Sequence, residues 1–87
     1  MKIPARFQLA GSEWTVVYVP NLTELGHCHS EGRVIQIRKG LSKQDEEQTF
    51  YHELVHAILF TMGKINHDEE FTDLFGAFLH QFEKTKK

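Results

Sequence analysis

The chain has 87 residues, with 10 basic and 12 acidic side chains and a formal net charge of −2, which allows one hydrophobic core and gives no electrostatic footprint for nucleic acid. The single cysteine, Cys28, excludes an intrachain disulfide, and no apolar run approaches the ~20 residues that cross a bilayer. The first six residues lack the apolar stretch of a secretory signal, so one cytoplasmic domain over residues 1–87, free of membrane, is expected.

Residues 6–19 alternate apolar and polar, with Phe7, Leu9, Trp14, Val16, Val17, Tyr18 and Val19 interrupted by Gly11-Ser12. The pattern predicts two short strands around a turn at residues 10–13. Pro20-Asn21 closes the pair. Residues 21–32 read as a polar loop, and residues 33–38, with Val34, Ile35 and Ile37, as a third strand able to pair with the second. Ser42 followed three residues later by Asp45 resembles a capping box, and Asp45, Glu46 and Glu47 suit a helix N-terminus. The helix runs over residues 42–62 and stops at Gly63. A second helix begins near Asn66 or Asp68. Its Phe71, Leu74, Phe75, Phe78, Leu79 and Phe82 recur at helical spacing and predict one core-facing stripe. His80 reads as a residue of the polar face, and Lys84, Lys86 and Lys87 as a solvated helix end that complements the helix dipole. The fold class expected is α+β: a small three-stranded sheet packed on a buried helix, with a second, antiparallel helix at the C-terminus.

His52-Glu53-Leu54-Val55-His56 is an H-E-x-x-H motif inside the first helix. Residues four apart lie on the same helical face, so both imidazoles can reach one metal ion. Phe50, Tyr51, Leu54, Val55, Ala57, Ile58, Leu59 and Phe60 surround the motif. Two histidines and a glutamate buried there carry a desolvation cost unless they are paired or bound to a cation. A neutral imidazole is a good zinc ligand, and a carboxylate beside it can take a proton from a water that zinc activates. The motif therefore points to a zinc-dependent hydrolase, in the first place a peptidase.

Catalytic zinc usually has three protein ligands. A chain that reverses after Gly63 brings the start of the second helix to the height of His56, where Glu69 and Glu70 lie. Glu69 is favoured because Asp73 follows four residues on, on the same face, placed to hold the far nitrogen of a ligating histidine. Glu70 is the reserve, and His67 a third candidate. His27-Cys28-His29 also has ligand chemistry, but no helpfully spaced partners, and reads as surface or pocket rim. Tyr18, Tyr51 and His67 are the candidates for stabilising a reaction oxyanion.

From Val34-Ile35-Gln36-Ile37 through Leu41-Ser42 and Thr49 to Leu59, and again from Asp68 to Phe75, the chain resembles the minigluzincins, and especially small phage-encoded zincin-like metallopeptidases related to the ImmA/IrrE group. The last segment matches the E-x-x-x-D motif of gluzincins. The resemblance implies His52, His56 and Glu69 as zinc ligands, Glu53 as general base and Asp73 as the partner of a ligating histidine. It also implies an edge strand, expected at residues 34–38, that holds a protein or peptide substrate by strand addition. The function expected is peptide-bond hydrolysis by zinc-activated water. The alternative is a weakly active or inactive module in which zinc stabilises a small protein-binding fold.

Overall fold

The computed structural model describes residues 2–86, so the expectation for Lys87 lies outside the described residues. In chain order the elements are β1 (Arg6–Leu9), β2 (Ser12–Val19), β3 (Gly26–His29), β4 (Val34–Arg38), α1 (Lys43–Thr61) and α2 (Glu69–Thr85). The sheet order is β1-β2-β4-β3, with β1 antiparallel to β2, β2 parallel to β4, and β3 antiparallel to β4. The β1–β2 turn falls where the sequence placed it, with Ala10 (φ 50°) and Gly11 (φ 81°) in left-handed conformations that let the chain reverse.

Trp14 and Val16 of β2 and Ile35 and Ile37 of β4 project from one face of the sheet and are buried. They meet Phe50, Tyr51 and Ala57 of α1. Phe7 closes one end, stacked on Trp14 at 6.3 Å and set edge-on to Phe50 at 6.0 Å. Helix α1 is thus the central pillar. Its start is fixed by Ser42, whose Oγ accepts from the Asp45 amide at 3.1 Å. At its end Gly63 takes φ 85°, and the Lys64 amide donates back to the Leu59 carbonyl at 2.9 Å.

The sheet has four strands, not the three expected. Residues 26–29 form β3 within the stretch read as polar loop, because the Gly-His-Cys-His sequence has no β-branched or aromatic alternation to announce a strand. It is a strand because β4 pairs with it, residue for residue from Gly26↔Ile37 to His29↔Val34. The additional strand makes β4 central. The edge nearest α1's histidines is therefore β3, and the assignment of residues 34–38 to an edge strand is corrected.

Helix α2 also departs from its expected packing. Its buried residues are Thr72, Gly76 and His80, while Phe71, Leu74, Phe75, Phe78 and Phe82 are exposed. Leu79 alone of the expected stripe is partly buried against the core. Two contacts turn the helix this way. A Cβ built on Gly76 would lie 3.0 Å from His52 Cα and N and 3.2 Å from the Tyr51 carbonyl carbon, so α2 crosses α1 almost backbone to backbone at the first motif histidine. One turn on, His80 is buried at 4 % exposure rather than on a polar face. Its Nε2 donates to Glu47 Oε1 at 2.9 Å, and its Nδ1 lies 2.9 Å from Gln48 Oε1. That hydrogen bond holds the Glu47 carboxyl below its ordinary value of 4.5.

Candidate metal centre

His52 and His56 stand one above the other on the α1 face that looks toward the start of α2. Asp68 caps α2 by accepting the Glu70 amide at 2.9 Å and the Phe71 amide at 3.3 Å, which places Glu69 as the first helical residue. Glu69 then reaches both histidines: Oε1 lies 3.3 Å from His52 Nε2, and Oε2 lies 3.3 Å from His56 Nε2. Among the described residues these three form the group able to hold a metal ion, their donor atoms all within 4.8 Å of one another. Donors held about 2.0–2.2 Å from a tetrahedral zinc sit about 3.3–3.5 Å apart, and each imidazole lies 3.3 Å from one of the two carboxylate oxygens. Glu70 is exposed at the helix start and lies outside the group. His67 lies outside it as well.

The hydrogen-bond partners fix which nitrogens carry hydrogen. His67 Nε2 lies 2.7 Å from the Lys64 carbonyl oxygen, which can only accept, so this nitrogen donates. In the neutral ring His67 Nδ1 is then an acceptor. It faces His56 Nδ1 at 2.6 Å, and His56 Nδ1 must be the donor. His56 Nε2 is left with a bare lone pair. Burial, the largest influence on His56, lowers its pKa and favours this neutral ring. His52 is flanked by two acceptors, its Nδ1 lying 3.4 Å from Asp73 Oδ1 and its Nε2 3.3 Å from Glu69 Oε1. The opposite tautomer of His56 would set two lone pairs against each other at 2.6 Å. Two imidazole Nε2 atoms and a carboxylate therefore converge on one point. Such a set can be held together by an imidazole proton shared with the carboxylate or by a cation at its centre.

His67 is the residue that sequence reasoning misplaced. The sequence offers it as a ligand or an oxyanion donor, yet in this arrangement its donor is spent on Lys64 and its acceptor on His56. The signal was its place in the short connection back toward His56, where a donor-acceptor side chain can reach the ligand from outside. Neither tyrosine is among the residues lining the cleft around these groups. Tyr18 donates to Glu46 Oε1 at 3.3 Å, and Tyr51 is buried in the core with its ring stacked 5.5 Å from His80.

Glu53 is buried at 7 % exposure, beneath β3. Gly26 makes this approach possible, since a Cβ there would meet Thr49 Cγ2 at 2.5 Å and Glu53 Cγ at 3.1 Å. Burial, then the Glu69 carboxylate, then Glu24 push the Glu53 carboxyl up to about 7. His52, His56, Glu53 and Glu69 open into one cleft of about 360 Å³, walled on its far side by Glu24, Gly26, His27 and Cys28. Cys28 faces inward, where burial first and Glu53 second push its thiol up to about 12. Such a thiol is a poor nucleophile near neutral pH, and Cys28 lies outside the group able to hold a metal ion. His27 and His29 point outward as a rim, His27 Nδ1 lying 3.5 Å from Glu24 and His29 Nε2 3.0 Å from Gln36.

Set against protein-family models, curated proteins and solved structures, the chain matches none. Among the described residues no helix is long and apolar enough to cross a membrane.

Proposed function

We propose that this protein is a zinc-dependent metallopeptidase with His52, His56 and Glu69 as ligands and Glu53 as general base. The observation that carries the reading is the convergence of two imidazole nitrogens and a carboxylate beside a buried glutamic acid, in an open cleft. The resemblance of the motif-bearing segments to minigluzincins supports the same assignment. When bound, zinc lowers the pKa of a water toward about 7 and polarises a scissile carbonyl. Glu53 would accept a proton from the attacking water and return it to the leaving amine, so hydrolysis would need no covalent acyl intermediate. A carboxyl whose desolvated surroundings favour the neutral form is suited to holding the proton between those two steps.

The substrate backbone has a natural seat on β3. The Arg38 amide donates to the Leu25 carbonyl at 2.7 Å, and the alternation of an antiparallel pair then turns the N–H and C=O of Gly26 and Cys28 to the free edge. Both residues line the cleft. An extended peptide added along this edge would pass over the motif histidines.

The reading is tested by zinc stoichiometry and peptide hydrolysis in the same preparations. Wild type is expected to hold one zinc per chain, and His52→Ala, His56→Ala and Glu69→Ala to lose it while Glu70→Ala keeps it. Glu53→Gln is expected to keep zinc and lose hydrolysis. Fully loaded wild type that cleaves no member of a diverse peptide library would remove the peptidase reading and leave a zinc-stabilised binding module. Wild type without zinc would remove both.

A further inference from the structure

Helix α2 shows solvent its most apolar face. Phe78 is 71 % exposed, Phe82 58 %, Leu74 53 %, Phe71 48 % and Phe75 45 %. At about 200 Å² per aromatic side chain, these five present about 500 Å² of apolar surface, at the upper range of what a monomer normally leaves wet. Hydrophobic burial against the chain's own core does not account for them, because the opposite side of α2, with Thr72, Gly76 and His80, is the one pressed on α1.

We propose that this face is the interface of a two-fold symmetric homodimer, in which α2 packs antiparallel against α2 of a second copy. Three observations select that occupant. The spacing is self-complementary: reversing one helix sets Phe71 opposite Phe82 of the second copy and Phe75 opposite Phe78, apolar on apolar along a stripe about 16 Å long. The two ends of the stripe differ in charge. Asp68 and Glu70 stand at one end, while at the other Lys84 and Lys86 outnumber Glu83, which pairs with Lys86 at 3.0 Å, so antiparallel pairing sets a net negative end against a net positive one and opposes the helix dipoles, whereas parallel pairing aligns both. The area is of the right order. Two such faces carry about 1,000 Å² of apolar surface between them, against the about 1,200 Å² at which specific interfaces begin.

The interface lies on the side of α2 away from Glu69 and Asp73, so the cleft stays open in the dimer and dimerisation is independent of zinc.

Sedimentation equilibrium on the full chain, with and without chelator, tests this. Wild type is expected at twice the chain mass at about 100 μM, where a micromolar Kd gives mostly dimer. Phe78→Glu and, separately, Phe82→Glu are expected to weaken association by about 100-fold or more with unchanged circular dichroism, both side chains being largely exposed. Lys84→Glu combined with Lys86→Glu should weaken it by about tenfold, an effect that fades at high salt. In a Cys28→Ser background, Phe71→Cys mixed with Phe82→Cys should form a disulfide-linked pair. A wild-type mass of one chain throughout, a larger assembly, or cross-linking of Phe71→Cys with itself would each overturn the proposal. So would a monomer whose phenylalanines are covered only on addition of another protein.

Discussion

Substituting Gly76 with alanine tests the packing on which the metal centre is built. Two effects oppose each other. Alanine in a helix interior is favoured over glycine by about 1 kcal/mol, which would stabilise α2. The new Cβ, however, would lie 3.0 Å from His52 Cα, 3.0 Å from His52 N and 3.2 Å from the Tyr51 carbonyl carbon. All three atoms are backbone, so no side chain can swing away. To reach ordinary contact the helices must part by about 0.4 Å or more, and overpacking of this kind costs about 1–3 kcal/mol. The net expectation is a loss of about 1 kcal/mol, or a fall of about 4–8 °C in Tm for a domain of this size. Parting the helices also moves Glu69 and Asp73 from His52, which they approach at 3.3 and 3.4 Å. Zinc affinity is therefore expected to fall by about tenfold or more, as it does when the partners of metal ligands are disturbed. Thermal unfolding in chelator measures the first quantity, and competition against a chromophoric zinc indicator the second. A variant with raised Tm and unchanged zinc affinity would show that propensity governs Gly76 and that the helices do not meet at His52.

His67→Ala removes the acceptor that holds His56 Nδ1–H, and zinc affinity is expected to drop about 10- to 100-fold with little change in Tm, as read by the same competition assay. The buried Glu47–His80 pair gives a pH signature. Because the native pKa of Glu47 lies below its ordinary 4.5, the stability it contributes is complete above that value and is lost as pH falls through the native one. Glu47→Gln should thus cost about 1–3 kcal/mol near neutral pH, with the deficit shrinking in acid; urea unfolding across pH measures it, and a deficit that is constant or grows below pH 4.5 would contradict the pairing.

Local chemistry made much of this molecule legible in the sequence. Ser42 and Gly63 bound α1 because capping and left-handed termination need only neighbours along the chain. The four-residue spacings of His52–His56 and Glu69–Asp73 place side chains on shared faces whatever the surroundings, so the triad and the Asp73 contact could be read before the fold was known. Pairing across the fold was another matter. β3 depends on β4 for its existence, and its glycine is there for a close approach to α1 that no local pattern reports. The orientation of α2 inverted the usual inference that the more apolar face is buried. What faces α1 is instead selected for closeness and for polar partners, with a hydroxyl, a glycine and an imidazole at Thr72, Gly76 and His80. That four-residue recurrence of small and polar residues was visible in the chain, and the phenylalanines beside it outweighed it.

The position of Glu69 at the very beginning of α2 couples order to chemistry. First turns fray most readily, and this one is pinned by Asp68 on one side and, through the connection that includes His67, by His56 on the other. An ion gripped by Glu69 would act as a clasp on that turn, and losing the ion would let the turn unwind and carry the carboxylate out of reach. Amide exchange at Glu70 and Phe71 would then report occupancy of a site that neither residue touches.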